Sequence, residues 1–332
     1  MSNLVCLIPE LYRAARAASI ATIAAVIMVL PAMAAAKPVF CVLVPHFKDE
    51  YWLSVGYGME QEAARQNVEL LIYEAGGYRA RAEQITQLQD CAARGVDAIL
   101  IGAVSSDHPD LIDAISKVAQ EIPVFALVNE LHSAALSGRV GVDWYDMGLA
   151  IGQHLAQLHP AGSVAQGAVF VTGPNEAGWT APLERGLRSG LANSSVTISE
   201  VFSADTGLRQ QLTLVEAALD RHPDTDYLIG CAPAIEASLG LRASQADGEA
   251  PFLLSTYISH AVMRGVMNGH VLAASFDAPA RQGIMSIKQA ALMLRGAANG
   301  LPDRPKVILL TPIDADLDQL VISPADYFPE IQ

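Results

Sequence analysis

The sequence predicts an α/β protein of two doubly wound, Rossmann-like lobes joined by a three-crossover hinge. Three observations predict it. Short, continuously apolar segments alternate with stretches of helical length; the alternation runs through two sets of similar size; and the remainder is too small for a third domain. Strands that lack a polar face belong to parallel sheets covered by helices on both sides, wound right-handedly.

The first set starts after Lys37. Val39 to Pro45 reads as a strand and Tyr51 to Gln66 as a helix, followed by strand Val68 to Glu74, helix Ala80 to Arg94, strand Ala98 to Gly102, helix Asp110 to Ala119 and strand Val124 to Leu127. A second set follows Arg139-Val140-Gly141-Val142. It runs through helix Asp143 to Leu158, strand Ala168 to Thr172, helix Leu183 to Leu191, strand Thr197 to Ser203, helix Leu208 to Arg221, strand Tyr227 to Gly230, helix Ala234 to Arg242 and strand Phe252 to Tyr257. The remaining pieces are Ala261 to Met267, Ala273 to Phe276, Pro279 to Ala298 and Val307 to Leu310. They are best used if the chain crosses back, so that residues 37–143 and 277–311 form the N-terminal lobe and residues 144–276 and 312–332 the C-terminal lobe.

The N-terminus predicts export. Arg13 and Arg16 precede an uncharged run from Ala17 to Leu30, and Pro31 and the small residues Ala32-Met33-Ala34-Ala35-Ala36 come next. This is a signal-peptide pattern with cleavage near Ala36, which places the mature chain in the periplasm. The apolar run is shorter than the roughly 20 residues needed to cross a bilayer, so no retained membrane anchor is expected. A net charge of −14 excludes nucleic acid and anionic membrane surfaces as partners. Cys41, Cys91 and Cys231 survive processing. In an oxidising compartment Cys41 and Cys91 either pair, if the second helix packs over the first strand, or serve with Cys231 as small buried hydrophobes.

Ligands of open parallel sheets sit beyond the carboxyl ends of the strands, and two facing lobes line a cleft with those loops. The loops here hold Lys48-Asp49-Glu50-Tyr51-Trp52, Gly76-Gly77-Tyr78, Val142-Asp143-Trp144, Gly173-Pro174-Asn175-Glu176-Ala177-Gly178-Trp179 and Thr256-Tyr257. Aromatic residues are only 6% of the chain. Yet all three tryptophans, Trp52, Trp144 and Trp179, with Tyr51, Tyr78 and Tyr257, fall on the strand-to-helix side. Such a cage suits a methylated nitrogen, whose diffuse positive charge is attracted to ring faces at roughly 0.5–2 kcal/mol per ring. Asp49 and Asp277 are the candidate polar groups, in competition with helix-cap or hinge duty. His46 and His260 also lie near the cleft, as ligand, cap or structural residues.

Tyr51-Trp52-Leu53-Ser54, Tyr57-Gly58-Met59, Glu74 through Tyr78, Leu127-Val128-Asn129, Arg139 through Trp144, Met147-Gly148 and Tyr257 with Ser259-His260 resemble the periplasmic binding protein type I (ribose-binding-like) family, specifically its trimethylamine N-oxide (TMAO) sensors. Sugar binders of that family carry charged and amide side chains where this chain has Val128-Asn129, Pro182-Leu183, Ala232-Pro233 and Tyr257. A sugar would leave donors and acceptors unpaired at about 1–3 kcal/mol each. The resemblance implies TMAO held by Trp52, Trp144 and Tyr257 with Tyr78 and Asp49 nearby, and a membrane sensor histidine kinase as partner. Trp179 has no match in it and stays a cleft-rim candidate. The competing reading is a solute receptor of an ABC transporter. No phosphate loop, nucleophile elbow or His-Glu-x-x-His motif occurs, which argues against an enzyme, and no cofactor is implied.

Overall fold

A computed structural model describes residues 36–244, 250–297, 304–314, 317 and 320–332; the expected signal peptide, apart from Ala36, lies outside them. The first apolar runs form β1 (Val39–Val44), β2 (Glu69–Glu74), β3 (Ala98–Ile101) and β4 (Val124–Val128), and a short edge strand β5 (Gly138–Gly141) completes an all-parallel sheet of order β2-β1-β3-β4-β5. Helices α1 (Glu50–Gln66), α2 (Arg81–Ala93) and α3 (Pro109–Val118) connect the strands. β1, β3 and β4 are buried along almost their whole length, as a sheet covered on both faces requires. Residues 138–141, assigned to no element from sequence, carry only one apolar side chain and become a strand because β4 offers them a parallel edge.

The second sheet contains β6 (Gln166–Thr172), β7 (Val196–Ser203), β8 (Tyr227–Gly230), β9 (Phe252–Ser255), β10 (Ala273–Phe276) and β11 (Ile308–Leu310), in the order β11-β10-β9-β8-β6-β7. Its helices are α4 (Trp144–Leu158), α5 (Thr180–Gly190), α6 (Leu208–Arg221), α7 (Ala232–Ser244) and α8 (His260–Met267), and α9 (Pro279–Leu294) follows β10. Both sheets repeat one winding, with the first strand flanked by the second and third. The strand order therefore reverses direction beside β1 and again beside β6, and the loops at those points open onto a common cleft.

After α9 the chain departs from the expected lobe boundaries. α9 itself packs along α1 and against β4 and β5. β11, assigned from sequence to the first lobe, instead pairs antiparallel with β10, so the return to the second sheet occurs before it. The tail expected on the second lobe ends on the first. Ser323 N donates to Ser54 Oγ, and Gln332 N donates to the carbonyl of Ile72 on edge strand β2. The physical reason is the same at both places: an edge strand presents unpaired backbone groups, and β11 and the tail each cover one such edge.

Cys41 on β1 and Cys91 on α2 are joined by a disulfide with Cα atoms 6.1 Å apart, and Cys231 is buried and free. The bridge closes a separation of 50 residues, for which chain-entropy arguments give roughly 4 kcal/mol of stabilisation. Reduction with a small thiol under partly denaturing conditions should lower the urea midpoint accordingly, and alkylation of the unreduced, unfolded chain should label Cys231 alone among these three cysteines.

Candidate ligand site

Every residue expected at the site lies at the start of a helix or just before one. Asp49 is the N-cap of α1 and accepts the Tyr51 N–H at 3.1 Å; Tyr51 and Trp52 occupy the first turn. Trp144 opens α4 behind the N-cap Asp143, Trp179 is the N-cap position of α5, and Tyr257 precedes Ser259, the N-cap of α8. Tyr78 and Asp277 stand two and one residues before the cap positions of α2 and α9. Since helices in a doubly wound sheet begin where strands end, this alone gathers the side chains at one end of both sheets. All eight are buried.

The rings meet across the cleft. Trp144 and Trp179 lie 5.1 Å apart between centroids, Trp179 and Tyr257 5.9 Å, Trp144 and Tyr257 6.3 Å, Tyr51 and Tyr257 5.3 Å, and Tyr78 and Trp179 6.4 Å. Most are edge-to-face, the arrangement that ring quadrupoles favour. Trp52 is edge-on to Tyr51 at 6.1 Å. Two glycines make room for the indoles: a Cβ at Gly102 would stand 2.4 Å from the Trp52 ring, and one at Gly173 2.3 Å from the Trp179 ring. Trp179, open in the sequence reading, is therefore as central as Trp144.

Hydrogen bonds fix the polar edges. Tyr257 Oη donates to Asp49 at 2.6 Å and Tyr51 Oη to Asp277 at 2.7 Å. Gln282 Nε2 donates to Asp277 at 2.8 Å, and Asn129 Nδ2 donates to Tyr78 Oη at 3.2 Å. Trp144 Nε1 donates to the carbonyl of Val128 at 3.4 Å. Val128 holds φ at +62° and Ala278, beside Asp277, at +52°. Non-glycine residues in this region carry strain of order 1–3 kcal/mol, which clusters at ligand clamps. The Trp179 indole N–H is buried and makes no hydrogen bond among the described residues.

Burial pushes both carboxyls up to about 6, Asp49 against the opposing hydrogen bond from Tyr257 and Asp277 against those from Tyr51 and Gln282. Burial, followed by the adjacent carboxylates, likewise holds the Tyr51 and Tyr257 hydroxyls protonated well above their ordinary range. The site thus offers ring faces, hydroxyl and indole donors, and two carboxylates at an energetic cost that a positive charge would offset.

A family model for the periplasmic binding protein domain matches residues 40–298. The chain belongs to that family. It is a periplasmic binding protein and not an enzyme. The periplasmic protein TorT of Escherichia coli strain K12 is 35% identical over 292 residues, 87% of this chain and 83% of that protein. The crystal structure of a TorS sensor domain–TorT complex in the presence of TMAO aligns with a TM-score of 0.78 at 36% identity, covering 89% of this chain and all of that one. An ABC transporter solute-binding protein from Bradyrhizobium sp. BTAi1 with bound bis-tris aligns with a TM-score of 0.74 at 34% identity, over 90% of each chain.

Sequence reasoning passed over Asp205 and Gln282 and left His46 undecided. His46 and Asp205 follow β1 and β7 at the same strand ends that placed the tryptophans. Counting aromatic residues gave them no weight. Gln282 looks like any polar helix residue until α9 is placed beside Tyr51 and Asp277.

Proposed function

We propose that this periplasmic binding protein holds TMAO, or a close methylamine, between its lobes and signals its presence to a membrane sensor histidine kinase of the TorS type. The observation that carries the reading is the buried group of Trp144, Trp179, Tyr257 and Tyr51, contributed from both lobes and underlain by Asp49 and Asp277. Three methyl groups around a formally positive nitrogen suit aromatic walls. The N-oxide oxygen accepts hydrogen bonds, and the Trp179 N–H and the Tyr78 hydroxyl are the donors to hand, because the Tyr257 and Tyr51 protons are already given to Asp49 and Asp277. An ionised carboxylate cannot donate. Asp49 and Asp277 therefore act by orienting Tyr257 and Tyr51 and by balancing the nitrogen's charge. Trp52 and Tyr78 complete the wall.

The TorT likeness supports both the ligand and the kinase partner. Lobe closure is the signal in this reading: the ligand touches residues 37–143 and 277–297 on one side and residues 144–276 on the other, and it shifts the population toward the lobe angle it binds more tightly. A second reading, a solute receptor of an ABC transporter, is favoured by the Bradyrhizobium likeness at nearly the same identity.

Titration calorimetry of the mature protein with TMAO, glycine betaine, carnitine and ribose separates the alternatives. We expect heat with TMAO or another methylamine and none with ribose. Binding of ribose with no response to any methylamine overturns the cage reading, and ligand-dependent co-purification with a TorS-type sensor domain separates sensor from transport receptor.

A further inference from the structure

At the cleft the two lobes are tied together through one carboxylate that sits outside the aromatic group. Asp205 follows β7 in the second lobe. Its Oδ2 accepts the backbone N–H of Tyr78, from the first lobe, at 3.1 Å. Its Oδ1 lies 3.2 Å from Nε2 of His46, also from the first lobe, and accepts the N–H of its own neighbour Thr206 at 2.8 Å. Thr206 Oγ1 reaches the same His46 nitrogen at 3.1 Å. His46 is fully buried, and its ring stands perpendicular to that of Tyr78 at 5.9 Å. The approach is too close for any side chain at the preceding residue: Gly77 has φ +149°, and a Cβ there would lie 2.4 Å from Asp205 Oδ2.

Tyr78 is therefore held at two points that belong to different lobes. Its hydroxyl is fixed within the first lobe by Asn129, and its backbone is fixed by the second lobe through Asp205. Opening the cleft breaks the second hold and keeps the first. We propose that Asp205 is a positioning residue for the ligand site, which sets the place of Tyr78 from the opposite lobe and so makes the shape of the aromatic wall depend on closure. The proposal rests on the reading of the cleft as the ligand site. In this proposal Asp205 acts through Tyr78, whose backbone it holds. It remains ionised, because although burial pushes its carboxyl up, the hydrogen bond and charge of His46 and the two backbone N–H groups hold it below the usual carboxylate range.

The test uses the mature full-length chain, with TMAO as probe. Asp205→Ala should weaken binding at least tenfold, mostly through faster dissociation, because contacts that form on closure act on the closed state's lifetime. Amide hydrogen exchange at Tyr78 in the ligand-free protein should accelerate about tenfold, and thermal unfolding should stay close to wild type. Asp205→Asn keeps one acceptor oxygen and should recover part of both losses; a residue that only supported the fold would show no such graded recovery at Tyr78. Wild-type affinity together with wild-type exchange at Tyr78 in Asp205→Ala overturns the proposal. Should the wild-type protein bind no methylamine, the functional reading falls, and exchange at Tyr78 still decides whether Asp205 holds that backbone.

Discussion

Trp144→Ala should lose methylamine binding by at least a hundredfold and should unfold at lower urea. Trp144 contacts Trp179 and Tyr257 and anchors its own indole on Val128, so truncation removes one wall and loosens two others. A ring contributes roughly 0.5–2 kcal/mol to a dry cation site, and the water admitted in its place weakens every remaining electrostatic contact. A hundredfold loss corresponds to about 2.7 kcal/mol, within reach of those effects combined. The stability change arises because Trp144 is 3% exposed and lies in the main hydrophobic cluster. Burial of that kind costs about 3–5 kcal/mol on truncation. Trp144→Phe separates the two effects, since it keeps a ring and loses the N–H bond to Val128. It should fold within about 1–2 kcal/mol of wild type and bind about tenfold more weakly, read by calorimetry and urea unfolding side by side. Unchanged affinity in the Phe variant would remove the indole N–H anchor from the account, and unchanged affinity in the Ala variant would remove Trp144 from the pocket altogether.

Much of this was legible from the chain because parallel sheets write their signature plainly. Runs such as Val39–Val44 and Ala98–Ile101 are apolar without alternation, and only a sheet covered on both faces accommodates that. The candidate site was proposed by the same logic, because strand ends become helix starts and the scarce tryptophans all fall there. What stayed hidden is what depends on partners distant in sequence. Ile308–Leu310 reads as a strand but carries nothing that says which sheet it joins; the open edge of β10 decides that. The tail is interrupted by Pro324 and Pro329 and carries no strand or helix pattern, and its course is set by single contacts such as Ser323 to Ser54 and His260. The link between His46 and Asp205 joins residues 159 positions apart, and neither has a local pattern to announce it.

The stability of the ligand-free protein should fall as pH rises from about 4 to 7, opposite to the usual acid destabilisation, and Asp277→Asn should flatten the fall. Asp277 and Asp49 are fully enclosed by protein and their carboxyls are pushed up to about 6; Glu236, shielded by burial and facing Glu50 and Asp49, is pushed up to about 7. In each case the folded protein holds its proton at a pH where the unfolded chain has released it. The folded state then binds more protons, so stability is greatest below the unfolded value near 4 and declines as pH rises through the folded one. His260, raised chiefly by its bond to Glu50, acts in the same direction above pH 6.5, its contribution being present below that value and lost as pH rises through its folded pKa. Glu50 and Asp205, held low, act oppositely, but their stability is lost only as pH falls below about 4.5. For Asp277 a rise from 3.8 to about 6 corresponds to roughly 3 kcal/mol. Between pH 4.5 and 7.5 the unfolding free energy of Asp277→Asn should therefore gain on wild type by up to that amount. Asparagine still accepts from Tyr51 and Gln282 through its oxygen, and places its amide where Asp277 Oδ1 has no partner. Parallel urea curves at both pH values for the two proteins would show that Asp277 is ionised without cost in the fold. In the proposed site a positively charged nitrogen would supply the partner that burial withholds from these carboxylates, so methylamine affinity should be higher at pH 7.5 than at pH 5.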